Sequence, residues 1–184
     1  MLTTLKNKVH LSKALALLGS ILLIISLFLP FASATDDYKD YLEAHPDRMA
    51  DTEIDMTNQD AIDLSLVDFG RIYAYGTSLE GYETLSMICL VIIIVYALCA
   101  LLSVLWGLLN KPILLLLTNL LAMGAFSLLK WDFSDRGVIP SSQYHWGFAQ
   151  YACYLGILLL FIGAVMIFLE KRKQKRKTKQ GESL

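Results

Sequence analysis

The residues able to do chemistry in this chain are few and scattered. Cys89, Cys99 and Cys153 all fall within apolar stretches, and the polar segments contain no cysteine, so no disulfide staples an exposed loop. Cys89 and Cys99 lie about 15 Å apart along a helix, too far to bond each other there. They read as buried apolar thiols. His10, His45 and His145 share no helical face with one another or with a cysteine, so zinc-ligand spacing is missing. The run Asp51, Glu53, Asp55 resembles the opening of a calcium loop. Met56 stands where the sharp-turn glycine belongs and Ile62 where the bidentate glutamate belongs, which leaves a solvated acidic loop. Ser20, Ser26, Ser86, Ser103 and Ser127 have no acid or base in the apolar stretches to activate a hydroxyl. The expectation is no enzyme, no metal and no cofactor.

What positions these residues is a membrane. The 184 residues are 55% hydrophobic and 18% charged, with a mean hydropathy of +0.51. Such a composition excludes a disordered chain and a nucleic-acid-binding domain, and argues against a water-soluble globule. Residues 14–34, 85–109, 112–129 and 147–169 are apolar, contain no Asp, Glu, Lys or Arg, and approach or exceed the ~20 residues that cross a bilayer. The predicted fold is an all-α integral membrane protein. It has four transmembrane helices in an antiparallel bundle, with a long acidic extracytoplasmic loop, residues 35–84, between helices 1 and 2.

Charge sets the orientation. Eleven of the 16 basic residues lie in segment 1–13, in the turn 110–111 and in the tail 170–184, against five in segments 35–84 and 130–146. The positive-inside rule then makes both termini cytoplasmic. Thirteen of the 17 acidic residues lie in segment 35–84. Lysine outnumbers arginine 11 to 5 and no N-x-S/T sequon is present, which fits a bacterial plasma membrane. Asn110 and Lys111 before Pro112 predict a tight helical hairpin, since Asn caps helix ends and Pro suits the first helical position. Trp131, Tyr144, Trp146 and Tyr151 predict an aromatic belt on the outer side, where Lys130 can lift its ammonium to the headgroups.

Two segments read in two ways. Residues 14–34 form a helical span, or, with the basic segment before them, a secretory signal ending at Ala32-Ser33-Ala34; retention gives an even, self-consistent bundle and is the expectation. Within the loop, DDYKDYLE predicts a short helix ending before Pro46. Ile62, Leu66, Phe69 and Tyr73 recur at helical spacing after a Thr57 N-cap, while Ile62, Leu64 and Leu66 also alternate as a strand would. The helix is preferred.

Small residues mark particular helix faces. Ala149, Gly156 and Gly163 repeat every seven residues with Ala152 alongside, and Thr118, Ala122 and Ala125 share a face with Asn119 at its edge. Small residues let backbones approach in lipid, and Asn can bond across the contact. These residues serve either packing within the bundle or docking of another membrane protein or a second copy. Lys171, Arg172, Lys173, Lys175, Arg176, Lys177 and Lys179 fix topology or contact anionic inner-leaflet lipids of the bilayer; a soluble partner is the alternative. The function that follows is a non-enzymatic small polytopic membrane protein acting through partners, as an accessory subunit or an envelope sensor or protective protein. The rival is a small homo-oligomeric transporter or channel lined by Asn119, Thr118 and Ser103. In layout the chain resembles claudin-type four-span proteins. Residues 35–84 lack the Trp residues and Cys pair of the claudin first loop, so the resemblance implies no role for any residue here.

Overall fold

Uncharged runs of Leu, Ile, Val and Ala form helices because a helix satisfies its own backbone hydrogen bonds without water. The computed structural model describes residues 2–181, with side chains for residues 11–175. In chain order it contains α1 (Leu2–Ser26), β1 (Pro30–Ala34), α2 (Asp36–Glu43), β2 (Met49–Asp51), β3 (Met56–Thr57) and α3 (Asn58–Ala61). Then follow β4 (Asp63–Ser65), α4 (Leu66–Gly76), α5 (Glu83–Leu108), α6 (Pro112–Asp135), β5 (Tyr144–Trp146) and α7 (Ala149–Gly181). Among the described residues three helices are long and apolar enough to cross a membrane: Glu83–Leu108, Pro112–Asp135 and Ala149–Lys175. Leu11–Ser26 is a shorter apolar helix.

The four longest helices lie side by side. α1 packs on α7 and α5, and α6 packs on α5 and α7. Polarity across these helices is inverted relative to a protein in water. Leu101, Leu117 and Leu121 are each more than half exposed, whereas Ser12, Ser20, Ser26, Ser103, Thr118 and Asn119 are buried. Such an arrangement suits a hydrocarbon solvent, in which helices gain from small and polar contacts and lose nothing by facing leucine outward.

Two expectations need correction. The first apolar run does not stay helical to residue 34: α1 stops at Ser26, and Pro30–Ala34 is a strand. Pro30 supplies no N–H and pushes Leu29 towards extended backbone, which ends the helix. The molecule is therefore mostly helical and not all-α. Residues 57–73 also divide. Thr57 caps only the one-turn α3, Ile62 closes that turn in helical backbone, Leu64 lies in β4, and Ser65 caps α4 with Leu66, Phe69 and Tyr73 on its buried face. Each cap is reciprocal, with Asp60 and Asp68 accepting from the Thr57 and Ser65 amides at 3.0 Å. α7 runs unbroken to Gly181, so the basic stretch from residue 170 to 181 is helical.

The polar segments fold into one acidic lobe at one end of the long helices. β1 is the middle strand of an antiparallel sheet ordered β4-β1-β5, pairing Ala32 with Leu64 on one side and Trp146 on the other. Phe31, 1% exposed, sits at the centre of the lobe's base. Its ring meets Phe69, Phe126, Phe133 and Trp146 edge-on at 5.5–6.0 Å, joining α4, α6 and β5. α2 seats Leu42 inward and turns Tyr38 edge-on to Tyr144. At the opposite end, α5 and α6 meet in the expected tight turn. Asn110 adopts φ +60° and the amides of Asn110 and Lys111 bond back to Gly107 and Trp106, a Schellman closure.

Candidate functional site

The small residues of α7 lie against α1. A Cβ added to Gly163 would stand 2.6 Å from the Ala16 nitrogen, and one added to Gly156 would stand 3.0 Å from the Gly19 carbonyl oxygen. Gly19 answers from α1: its Cβ would meet Leu160 N at 2.6 Å. Backbones approach this closely only where side chains are absent. Ala149 and Ala152 are buried on the same helix. The face that could have docked a partner is occupied by the chain's own first helix. The α1 half of this contact was missed in the sequence, although Ser12, Ala16, Gly19 and Leu23 recur there at helical spacing.

The polar residues buried among the helices join them to each other. Tyr96, fully buried on α5, brings its hydroxyl within 2.6 Å of Ser26 on α1 and donates to Cys153 of α7 at 3.3 Å. Thr118 and Ser103 meet hydroxyl to hydroxyl at 3.3 Å across α5 and α6, and each also reaches a carbonyl one turn back. Asn119 donates to the Ile157 carbonyl of α7 at 3.1 Å, leaving its own Oδ1 buried without a partner. Ala122 and Ala125 are buried beside Thr118. Asn119 also borders a groove of about 300 Å³ between α6 and α7, walled by Leu120, Met123, Leu158 and Phe161.

Where the lobe meets the helices, a charged cluster forms that the sequence reading did not single out. Arg136 binds Asp132 through Nε and Nη2, and its Nη2 also donates to the Tyr73 hydroxyl at 2.9 Å. The two charged side chains are 26% and 21% exposed. Burial works against the Arg136 charge, yet the bonds to Asp132 and Tyr73 hold its pKa above the ordinary value. Burial likewise raises the Tyr73 phenol. The cluster ties α4 to α6; its signal was the i,i+4 spacing of Asp132 and Arg136. Lys130 turns its ammonium to Gln150 at 2.8 Å and over the Trp146 ring at 5.1 Å, linking α6 to α7. Exposed Phe28, Tyr82, Trp131, Phe148 and Tyr151 ring this level.

The acidic lobe presents its charges outward. Asp36, Asp40 and Glu43 fall at i, i+4 and i+7 on one exposed face of α2, with Asp37 beside them. Asp51 accepts from the amide of Glu53, so its carboxylate closes its own loop. Bonds from the Thr57 amide and hydroxyl keep the Asp60 carboxyl below its usual range. No group of three or more His, Cys, Asp or Glu among the described residues is placed to hold a metal ion. His45 and His145 are exposed and apart, and the His10 side chain lies outside the described residues.

At the other end, Lys111 of the turn and Lys171, Arg172 and Lys175 of α7 surround a cleft of about 600 Å³. Lys171 donates to the Asn110 carbonyl, and the Arg172 guanidinium lies 5.0 Å from the Phe168 ring. Lys173 is exposed and does not line the cleft. The side chains of Lys6, Lys8, Arg176, Lys177 and Lys179 lie outside the described residues. No protein-family model, curated protein or solved structure matches the chain.

Proposed function

We propose that this is a non-enzymatic membrane protein that crosses the plasma membrane four times and acts through partners. It holds the acidic lobe outside the cell and the basic end against the anionic inner leaflet. As the fourth span, α1 contributes the apolar stretch Leu11–Ser26, or ~24 Å of helix, and Leu27–Leu29 extend it towards the ~30 Å of hydrocarbon. Its close contact with α7 and its continuation into the middle strand of the sheet make it integral to the fold. The observation that carries the reading is the lobe itself: an acidic face on α2 set in a fixed position by a buried aromatic base. A mere connection between two spans needs no such base. A fixed acidic surface steers and orients a partner of opposite charge, so the partner is a membrane or envelope protein with a basic outer face.

Support for a non-catalytic role comes from where the polar groups are committed. Ser103, Thr118 and Asn119, the residues a transport pathway would require, bond across helix contacts. Crosslinking in native membranes, followed by native mass spectrometry from mild detergent, tests the proposal. A distinct subunit is expected at stoichiometric yield, and it should be lost in Asp36→Lys/Asp40→Lys/Glu43→Lys. A pure homo-oligomer with measurable flux in liposomes would overturn it.

A further inference from the structure

We propose that the cleft between the α5–α6 turn and the end of α7 is a discrete binding site for the phosphate headgroup of one anionic phospholipid. The inference rests on the reading that this end faces the anionic leaflet. Lys111, Lys171, Arg172 and Lys175 converge on one volume from two separate elements, and among the described residues no carboxylate lines it. Among the described residues, ion pairs join Lys39 to Glu43, Arg71 to Asp68 and Arg136 to Asp132, and none involves these four. Glu170, next to Lys171, accepts instead from Ser12 of α1. Four like charges around one opening repel each other unless an anion lies between them. The cleft is also braced. Lys171 is held on the Asn110 carbonyl, and Arg172 lies over Phe168, a position that keeps its fork of donors on this side of the helix. No side chain caps α6; Pro112 has no N–H and the Leu115 amide bonds to Lys111, which leaves the amides of Ile113 and Leu114 as further donors at the same opening.

The wall is apolar where a free phosphate would need none. Ile113, Leu114 and Phe168 line the cleft below the cations. Along the same seam, Leu120 lies seven residues beyond Ile113 on α6, and Phe161 seven residues before Phe168 on α7. Both line the second groove, ~10 Å further into the apolar zone. An acyl chain descending from the cleft follows this stripe. A basic mouth above an apolar seam between spans is the combination that anionic lipids recognise.

The site differs from diffuse attraction by the whole basic stretch, and one pair of neighbours separates the two. Arg172 lines the cleft; Lys173 carries the same charge one residue away and does not. The test is native mass spectrometry of the full chain in mild detergent, titrated with phosphatidylglycerol or phosphatidylcholine. Wild type should retain one phosphatidylglycerol in preference to phosphatidylcholine. Lys111→Gln and Arg172→Gln should each weaken retention roughly five-fold, and Lys173→Gln less than two-fold. Millimolar inorganic phosphate should leave the lipid bound. If Lys173→Gln weakens retention as much as Arg172→Gln, the attraction is diffuse and the site is refuted, while the inner-leaflet reading stands. If inorganic phosphate displaces the lipid, the site takes phosphate and not phospholipid. If wild type shows no preference for phosphatidylglycerol, both readings fail.

Discussion

At the lobe end, Phe31 meets four other aromatic rings, three strands lock the loops together and two reciprocal caps fix the short helices. At the tail end, a three-residue turn joins α5 to α6 and four cations stand around an open cleft. One end is closed by side-chain contacts and the other is held open by charge. The difference separates what holds the fold from what is left available for binding. The lobe's acids can face outward because its interior is filled. The tail's cations converge because little lies between them.

That contrast can be broken by stability measurements in detergent, beginning at the lobe. Phe31→Ala removes the shared ring from four contacts and is expected to cost about 3–5 kcal/mol. A chemical-denaturation midpoint close to wild type would mean the lobe is a loosely attached loop. Gly163→Leu follows, because it forces side-chain atoms against the Ala16 backbone. Overpacking there should cost about 1–3 kcal/mol in the isolated protein, with Leu158→Ala, on the exposed face, as a near-neutral control. A stable Gly163→Leu variant would show that the tail half of the α1–α7 contact is loose. Asn110→Val places a β-branched side chain at φ +60° and should lower the melting temperature by an amount equivalent to roughly 1–2 kcal/mol. Arg172→Gln and Lys175→Gln touch no buried side of the fold and should stay within about 0.5 kcal/mol of wild type. A larger loss would make the tail end a structural element and erase the contrast.

The long helices were legible because lipid solvent demands uncharged runs, and the hairpin because Asn110 and Pro112 punctuate it. The acidic lobe was only half legible. DDYKDYLE announces α2, and Asp60 and Asp68 sit three residues after Thr57 and Ser65 as capping boxes require. The sheet was not legible, since its three strands are spread between residues 30 and 146 and two of them are three residues long. Pro30-Phe31-Ala32-Ser33-Ala34 carries the small residues of a processing site, and only the pairing with β4 and β5 reveals it as a strand. Gly156 and Gly163 were visible as a stripe, but a stripe does not name its partner; Ala16 and Gly19 do. The basic cleft escaped because Lys111 lies some 60 residues before Lys171, and only the packing of α6 on α7 brings them together.

The proposal stands or falls on the lobe and the basic cleft lying on opposite sides of the membrane. Ser142→Cys on the lobe and Lys173→Cys beside the cleft, both exposed positions, can be made singly in a chain whose buried Cys89, Cys99 and Cys153 are replaced by serine. Intact cells are treated with a membrane-impermeant maleimide, and a second sample is treated after permeabilisation. Position 142 should label in intact cells and position 173 only after permeabilisation. Labelling of both positions in intact cells, or of position 173 alone, would contradict the proposed orientation and, with it, both the outward acidic surface and the inner-leaflet lipid site.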